Sequence, residues 1–540
     1  MTKIFNTITG KRAVYYHTNW SCYGRNFQVK DIPDCVTDIA YAFYNINTDG
    51  SIVTVDGWAD TEKRFTGPEG VLPLDTWSDN STMYGNFGQF KKLLDAGRQL
   101  NITLSVGGWT LSKDFSSAVS TDANRTNFVN NIVTLFKKYP IFSGVSLDWE
   151  YVSNDGVNYG NAGNTASPQD SDNFILFVKK LREVFNMDAD MKKFTISMCC
   201  SAAPEKVKFG VEQTHPYIDQ LHVMTYDIHD GAWGELVAGH HTNPRKSSFS
   251  KMSCEEAADY YLSRGVPSTK IYIGVAFYSR GFGNTDGLGK PSSGGSPDMS
   301  WEKGSVDYKA LPLPGATEYF DTEAKAAYSY DPVKRVLNSY DNVQSVTEKC
   351  KIVFEKNLGG IIVWDNSSDK PVTDKRSLVA TMRDNLTHKK VGGLVTPVAP
   401  VAPVAPVTPV APVAPSVIPV APPAPPAPPV IPVAPPVYNI NLSGLTDYQK
   451  TILLELVDEF KKSNSLKVVT PVVTPVVTPV VTPVVTPVVT PQFPSWSAGV
   501  LYSPGKIIMY NGNKYMCVTA HTSIISWEPS IYTGSLWKQV

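Results

Sequence analysis

Eight short runs of apolar, β-branched and aromatic residues, separated by helical or loop-like stretches, constrain the fold more than any other feature of this chain: 13–17, 36–43, 102–106, 144–148, 194–199, 220–226, 270–277 and 360–364. Strands that alternate with helical patterns build parallel βα units. Eight such units imply a closed (β/α)8 TIM barrel, an α/β fold, and about 11–388 is the right length for one with insertions. One connection is longer than a simple crossover. Between the seventh and eighth runs, about 281–340 is rich in Tyr, Gly and Asp and contains Trp301, and a structureless loop of that length is unusual.

The fourth run continues as Phe142 to Tyr151 and carries Asp148 and Glu150 one strand repeat apart. Side chains alternate along a strand, so Gly144, Ser146, Asp148 and Glu150 share one face while Val145, Leu147 and Trp149 face packing helices. The acidic pair then sits where the strand runs out into a loop, the end at which such barrels keep their chemistry. An ionised Asp148 would raise the pKa of its neighbour and hold Glu150 protonated as a general acid. Alone, the pair reads equally well as a strand ending in acidic residues at the solvent edge.

Phe142–Tyr151 resembles the Asp-Gly-x-Asp-x-Asp-x-Glu signature of family-18 glycoside hydrolases, the chitinases, and further segments follow in the family's order. Asn101–Trp109 is similar to its Ser-x-Gly-Gly strand and His222–Asp227 to its Met-x-Tyr-Asp strand. Gly274–Arg280 and Leu358–Trp364 resemble the next strand and the last. The resemblance implies that 281–340 is a small α+β insertion forming one wall of a deep cleft. It also implies a retaining, substrate-assisted mechanism, an exception to the two-carboxylate scheme. Glu150 would protonate the glycosidic oxygen while the substrate's N-acetyl carbonyl attacks the anomeric carbon to give an oxazolinium ion. Asp148 would stabilise the acetamido nitrogen, Tyr226 would donate to the acetamido oxygen with Asp227 nearby, and Trp364 would floor the distorted sugar. Met224, Trp20, Trp109, Trp233, Tyr278 and Arg280 are further substrate-binding candidates. Taken singly, Trp364 and Met224 read as core packing and Tyr226 as a tyrosine with a backbone partner.

The chain departs from the family pattern where Ser143 and Ser146 replace the usual Asp. Ser143 faces outward by parity. Ser146 faces inward, where it can hydrogen-bond Asp148 without adding negative charge. Asp148 is therefore expected to ionise more readily than in relatives with three carboxylates, which shifts the acid limb of the pH–rate profile.

Composition changes abruptly beyond the barrel. Residues 393–440 are Pro, Val and Ala repeats, and 467–493 contain six copies of Val-Val-Thr-Pro. Such proline density removes donors and favours extended polyproline geometry, hence semi-rigid spacers. Between them, in 441–466, Leu445, Tyr448, Ile452, Leu456 and Phe460 form a helical stripe over 445–462. Thr446 and Gln449 have capping-box spacing. An isolated helix of that length is marginal in water, so self-association and docking on the barrel are both open. Residues 494–540 hold Trp496, Tyr502, Tyr510, Tyr515, Trp527 and Trp537 and resemble chitin-binding modules of family 5/12. The resemblance implies a small all-β module with Trp527, helped by Trp496, as the sugar-stacking platform. Trp537, Tyr502 and Tyr515 read as its core. The domain plan is thus 1–392 catalytic, two spacers flanking a helix, and a binding module at 494–540.

The formal net charge of −1 leaves no basic surface for nucleic acid and suits a neutral polymer, chitin or its oligosaccharides. Seven cysteines, two of them adjacent, form no disulfide framework. No cofactor or metal is expected, His240 and His241 lacking further ligands at useful spacing. No apolar run is long enough to cross a membrane. The first residues lack the core of a secretory signal, so action outside the producing cell would use another route. Two other functions stay open: an endo-β-N-acetylglucosaminidase acting on glycoprotein glycans, and a chitin-binding or assembly protein with weak or no catalysis.

Overall fold

The computed structural model divides the chain into two units, Met1–Thr396 and Pro397–Val540. It describes residues 9–78, 81 and 83–387, and, in the second unit, 496, 500–503, 505–510, 513–519, 521–522 and 536–539. The spacers, the 445–462 helix and Trp527 lie outside the described residues.

In the first unit, eight parallel strands close on themselves: β1 (Arg12–Thr18), β2 (Asp38–Ile46), β3 (Asn101–Gly107), β4 (Gly144–Asp148), β5 (Thr195–Ser201), β6 (Gln220–Met224), β7 (Ile271–Ala276) and β8 (Gly360–Trp364). Neighbours in sequence are neighbours in the sheet. β1 pairs with both β8 (Val14↔Ile362) and β2 (Tyr16↔Ala40), which leaves the barrel no open edge.

The alternation along each strand sorts side chains into two cores. Val145, Leu147 and Trp149 join the large cluster between sheet and helices, where Trp149 stacks on Phe115 at 5.3 Å and Phe128 on Phe177 at 4.3 Å. The barrel interior is a separate, smaller cluster of Val14, Tyr16, Ala40, Ala42, Phe43, Cys199, Tyr272 and Ile362. Trp20, Met224, Tyr226 and Trp364 pack over it at the carboxyl ends of the strands. Helix starts are capped locally. Thr121 accepts from the Asn124 N–H and Ser253 from the Glu256 N–H, each satisfying a donor that the helix leaves free.

Between β7 and β8 the chain builds a four-stranded antiparallel sheet, in the order 317–321, 326–331, 336–340, 280–282. Its two tight turns use one device: Asp321 and Asp331 each accept backbone N–H groups two and three residues on. Within 281–340 regular structure is otherwise a 3-10 turn at Tyr308–Ala310. The helical part expected of this insertion falls outside it. Val343–Glu355, started by an Asn342–Ser345 capping box, packs on β7 and β8 as a barrel helix.

Lys349 of that helix is wholly buried. Its ammonium donates to Asp341 Oδ2 (2.6 Å), Thr242 Oγ1 (2.6 Å) and the Gly274 carbonyl (2.8 Å). Asp341 Oδ2 also accepts from the Ala276 N–H at 3.0 Å. A buried charge persists only when so fully paired, and this one ties the end of the insertion to β7.

In the second unit, Leu501–Tyr502 pairs with His521–Thr522, and Ile507–Tyr510, Asn513–Cys517 and Trp537–Gln539 form a three-stranded antiparallel sheet. Tyr502, Ile508, Tyr515, Cys517 and Trp537 make its core. Trp496 packs against that core, edge-on to Tyr510 at 5.4 Å.

Candidate active site

The carboxyl ends of the barrel strands open into a cleft of about 710 Å³. Asp148, Glu150, Met224, Tyr226, Asp227, Tyr278, Arg280, Trp364, Trp20, Trp109 and Trp233 all line it. It thus collects every barrel residue singled out from the sequence as catalytic or substrate-binding.

Two glycines set the geometry around the acidic pair. Gly107 and Gly108 have φ of 103° and 97°, left-handed conformations that side chains disfavour. A β-carbon on Gly108 would also stand 2.9 Å from the Phe43 ring. The Gly108 N–H donates to the Asp148 carbonyl (2.7 Å), and Ser112 Oγ accepts from the Glu150 N–H (2.9 Å) while donating to the Gly108 carbonyl (2.9 Å). The loop after β3 therefore fixes the backbone that carries Glu150 just past the end of β4.

Asp148 and Glu150 are both buried. Burial pushes the Asp148 carboxyl up to about 7, with the Cys199 thiol acting in the opposite sense. Burial also raises Glu150 well above the usual range, and the Asp148 charge raises it further. Burial and like charge therefore disfavour ionisation of both carboxyls together, and the Asp148 charge acts to keep the proton on Glu150.

Ser146 shares their face, but its hydroxyl lies 3.2 Å from Tyr16 Oη across the barrel rather than on Asp148. Short and one repeat lower on β4, it meets the tyrosine first. Ser143 faces outward and hydrogen-bonds the Ile102 N–H (3.0 Å), which fastens the start of β4 to β3.

Tyr226 and Asp227 follow β6. Thr225 Oγ1 accepts from the Gly274 N–H at 2.7 Å, and the Tyr226 ring lies so close to Gly274 that a β-carbon there would sit 2.7 Å from it. Burial keeps the Tyr226 phenol protonated and so a donor. Asp227 has φ of 57°, a conformation that Asp tolerates better than most residues. Its Oδ1 accepts from Tyr278 Oη (2.7 Å) and Arg280 Nε (2.7 Å). Burial opposes its charge, yet the Arg280 guanidinium holds the carboxyl well below the usual range. Arg280 also lies 3.2 Å from Asp230 Oδ2, and its guanidinium carbon is 5.3 Å from the Trp233 ring centre and 5.2 Å from that of Tyr278.

The apolar surfaces form two groups. Trp364 stacks on Phe43 (5.6 Å, 20°) with Trp20 alongside (6.5 Å). Trp109 and Trp233 stack at 5.9 Å and 16°, Trp233 half-exposed and Trp109 about one-third exposed. Trp301, held by its indole N–H on Asp307 Oδ2 (3.0 Å), reaches the cleft from the insertion. Tyr16, Phe43, Cys199 and Trp301 are thus site residues that the sequence reading did not single out as such. Period-two parity on β1 and β5 was the available signal for Tyr16 and Cys199.

His240 and His241 serve other ends. His240 Nε2 lies 2.9 Å from Asp321 Oδ2, and His241 Nδ1 accepts from the Asp227 N–H. Among the described residues no group of three or more His, Cys, Asp or Glu is placed to hold a metal ion.

The family model for glycosyl hydrolases family 18 matches residues 12–369, which span all eight barrel strands and the cleft. The chain belongs to glycosyl hydrolase family 18. It is a glycoside hydrolase with a second, carbohydrate-binding module of family 5/12 at residues 495–538. Among family relatives, Endochitinase 1 of Metarhizium robertsii is 34% identical over 71% of this chain and 88% of its own length. Chitinase A1 of Niallia circulans is 32% identical over 72% of this chain and 60% of its own. The catalytic domain of psychrophilic chitinase B from Arthrobacter TAD20 superposes with a TM-score of 0.65 at 27% identity, covering 73% of this chain and 99% of that domain.

Proposed function

We propose that this glycoside hydrolase is a chitinase that cleaves β-1,4 linkages between N-acetylglucosamine units with retention of configuration, acting on the extracellular polymer. The observation that carries the reading is the burial of the Asp148–Glu150 carboxyl pair in the cleft at the carboxyl ends of the barrel strands. Burial and like charge keep Glu150 an acid at neutral pH, at the floor of a cleft lined by paired tryptophans. The relatives' names support chitin as the polymer.

Glu150 protonates the glycosidic oxygen, and the bond to the anomeric carbon breaks as the substrate's own acetamido oxygen attacks that carbon. Asp148, ionised, faces the acetamido N–H and balances the positive charge of the oxazolinium ion. Tyr226 donates its O–H to the acetamido oxygen, and Asp227, fixed on Arg280, borders the same pocket. Water then opens the oxazolinium ion, with Glu150 taking the proton back. Trp364 supplies the flat floor, while Trp20, Trp109, Trp233, Met224 and Tyr278 line flanking sugar positions. The C-terminal module holds the enzyme on insoluble chitin and raises its local concentration there; Trp527 is its platform, with Trp496 beside the core.

Incubation of the protein and Glu150→Gln with chitin oligosaccharides, followed by proton NMR of product anomers, tests this. Initial β-anomers that disappear with the variant are expected. Initial α-anomers, or turnover undiminished in Glu150→Gln, would overturn the mechanism. Chitin binding without turnover by either protein would leave only a binding function.

A further inference from the structure

Directly beneath Asp148, three strands bring a connected set of polar side chains to the barrel axis. β4 and β5 pair Ser146 with Ser197 and Leu147 with Met198; continued by one residue, that register sets Asp148 beside Cys199. Cys199 in turn pairs with His222 on β6. The Tyr16 hydroxyl joins them, 3.2 Å from Ser146 Oγ, 2.9 Å from Cys199 Sγ and 3.0 Å from His222 Nδ1.

The proton directions in this set follow from its lower end. His222 Nε2 lies 3.0 Å from Gln220 Oε1. An amide oxygen only accepts, so Nε2 carries the ring proton. Burial depresses His222 to about 3, which leaves the ring neutral. Nδ1 is then an acceptor and receives a hydrogen bond from the Tyr16 O–H. The Tyr16 oxygen is left to accept, from the Ser146 hydroxyl and the Cys199 thiol. Burial keeps that thiol protonated.

The Asp148 carboxyl is the neighbour of that thiol across the β4–β5 register, and the thiol is the side chain that opposes the rise of its pKa. Oδ1 of Asp148 is buried, and none of the described residues meets it at hydrogen-bond geometry. A single S–H proton thus faces two acceptors, and Tyr16 can release it because Ser146 still donates to its oxygen.

We propose that Cys199 is the positioning residue for Asp148: its thiol donates to the ionised carboxylate and turns to Tyr16 when Asp148 takes up a proton. Ser146 matters here through what it supplies to Tyr16. The other titratable groups around Asp148 leave this exchange distinct. Asp227 is held charged by Arg280, and Tyr16, Tyr226 and Tyr151 are held protonated by burial. Lys206 acts on Glu150, whose carboxyl is raised well above its usual range by burial and by the Asp148 charge, so Glu150 is the group whose charge is tied to that of Asp148.

The inference rests on the role given to Asp148 above, but its first readout needs no turnover. In the full-length protein, the infrared S–H stretch of Cys199 is isolated as the difference between parent and Cys199→Ser. On raising the pH through about 7, that band should move to lower frequency as the carboxylate forms, and the movement should vanish in Asp148→Asn. In kinetics, Cys199→Ala removes a hydrogen bond to the charged form. The acid limb of kcat should then move to higher pH by roughly half a unit to one unit, the weight of a weak charge-assisted bond. Cys199→Ser, also a donor, should restore it.

An S–H band unmoved through the titration overturns the inference, as does an acid limb in Cys199→Ala that superimposes on the parent's. A band that moves in a protein that does not turn over chitin keeps the inference and overturns the chitinase mechanism.

Discussion

Replacing Arg280 with methionine tests how the cleft carries its buried charges. Methionine preserves most of the side chain's length but leaves Asp227 and Asp230 without the cation that lies 2.7 Å and 3.2 Å from them. Removing one partner of a buried pair costs about 3–5 kcal/mol, because the remaining charge stays desolvated. The barrel unit, residues 9–387 as described, is roughly 380 residues; at about 2.1 cal/mol/K per residue its unfolding entropy is near 0.8 kcal/mol/K. The penalty then corresponds to a Tm lower by about 4–6 °C at neutral pH.

The deficit has a defined pH dependence. In the parent, Asp227 is depressed, so its contribution is present above the unfolded carboxylate pKa of about 3.9 and is lost as pH falls through the lower folded value. In the variant burial acts on Asp227 without the compensating cation and raises it. Asp230, already pushed up to about 6 by burial with Arg280 opposing, rises further. Both then cost stability when ionised and stop doing so once protonated, so the difference between variant and parent shrinks as the pH is lowered from neutral toward about 4. Calorimetric Tm values across that range check it. A Tm within about 1 °C of the parent at neutral pH, against the shift expected from the desolvated charge, or a deficit that widens on acidification, refutes the reasoning.

Three further outcomes follow from the same geometry. Ser146→Asp places a second carboxyl beneath Asp148 and should move the acid limb of kcat to higher pH; superimposable pH–rate profiles would remove the idea that the serine eases ionisation. Trp364→Ala takes away the ring stacked on Phe43, and losing about 2–3 kcal/mol of apolar contact should lower kcat/KM on chitin oligosaccharides by about 10²-fold. Trp537→Ala empties the centre of a very small core at a cost of about 3–5 kcal/mol. It should abolish retention on insoluble chitin in a pull-down while leaving turnover of soluble oligosaccharides unchanged.

The outward path of Val145, Leu147 and Trp149, and with it the inward path of Asp148, was legible because β4 alternates strictly up to its end. β2 was less legible: Ala40, Tyr41, Ala42 and Phe43 are all buried, since a parallel barrel strand is covered on both faces. Nothing in that continuous run says that Phe43 is the residue that turns inward to meet Trp364. The contacts that fix Asp227 were hidden for another reason. Tyr278, Arg280 and His241 come from positions 14 to 53 residues away, and no local period encodes such meetings. Ser146 was read as inward correctly, but its partner Tyr16 lies 130 residues away on β1, so its hydroxyl's destination was not visible from the motif. The insertion shows the limit of length as a guide. Its 60 residues announce that something folds there, while the paired aspartate turns that make it a sheet emerge only with the backbone.

The insertion's first and last strands, Arg280–Phe282 and Val336–Tyr340, are hydrogen-bonded to each other, Leu337 opposite Phe282 and Ser339 opposite Arg280. The chain therefore leaves the barrel and returns to it at almost one place, and β7 and β8 pair in their own register from Gly360↔Tyr272 to Trp364↔Ala276 as though nothing intervened. Such an arrangement behaves as a cassette. The outer turns between residues 282 and 336 can change without re-registering the catalytic sheet, provided that Arg280 and Asp341 keep their anchors and that Val306, Tyr308 and Leu311 stay in the barrel core. A change in the overhang can thus reshape one wall of the cleft while the strands that carry the acidic pair keep their register.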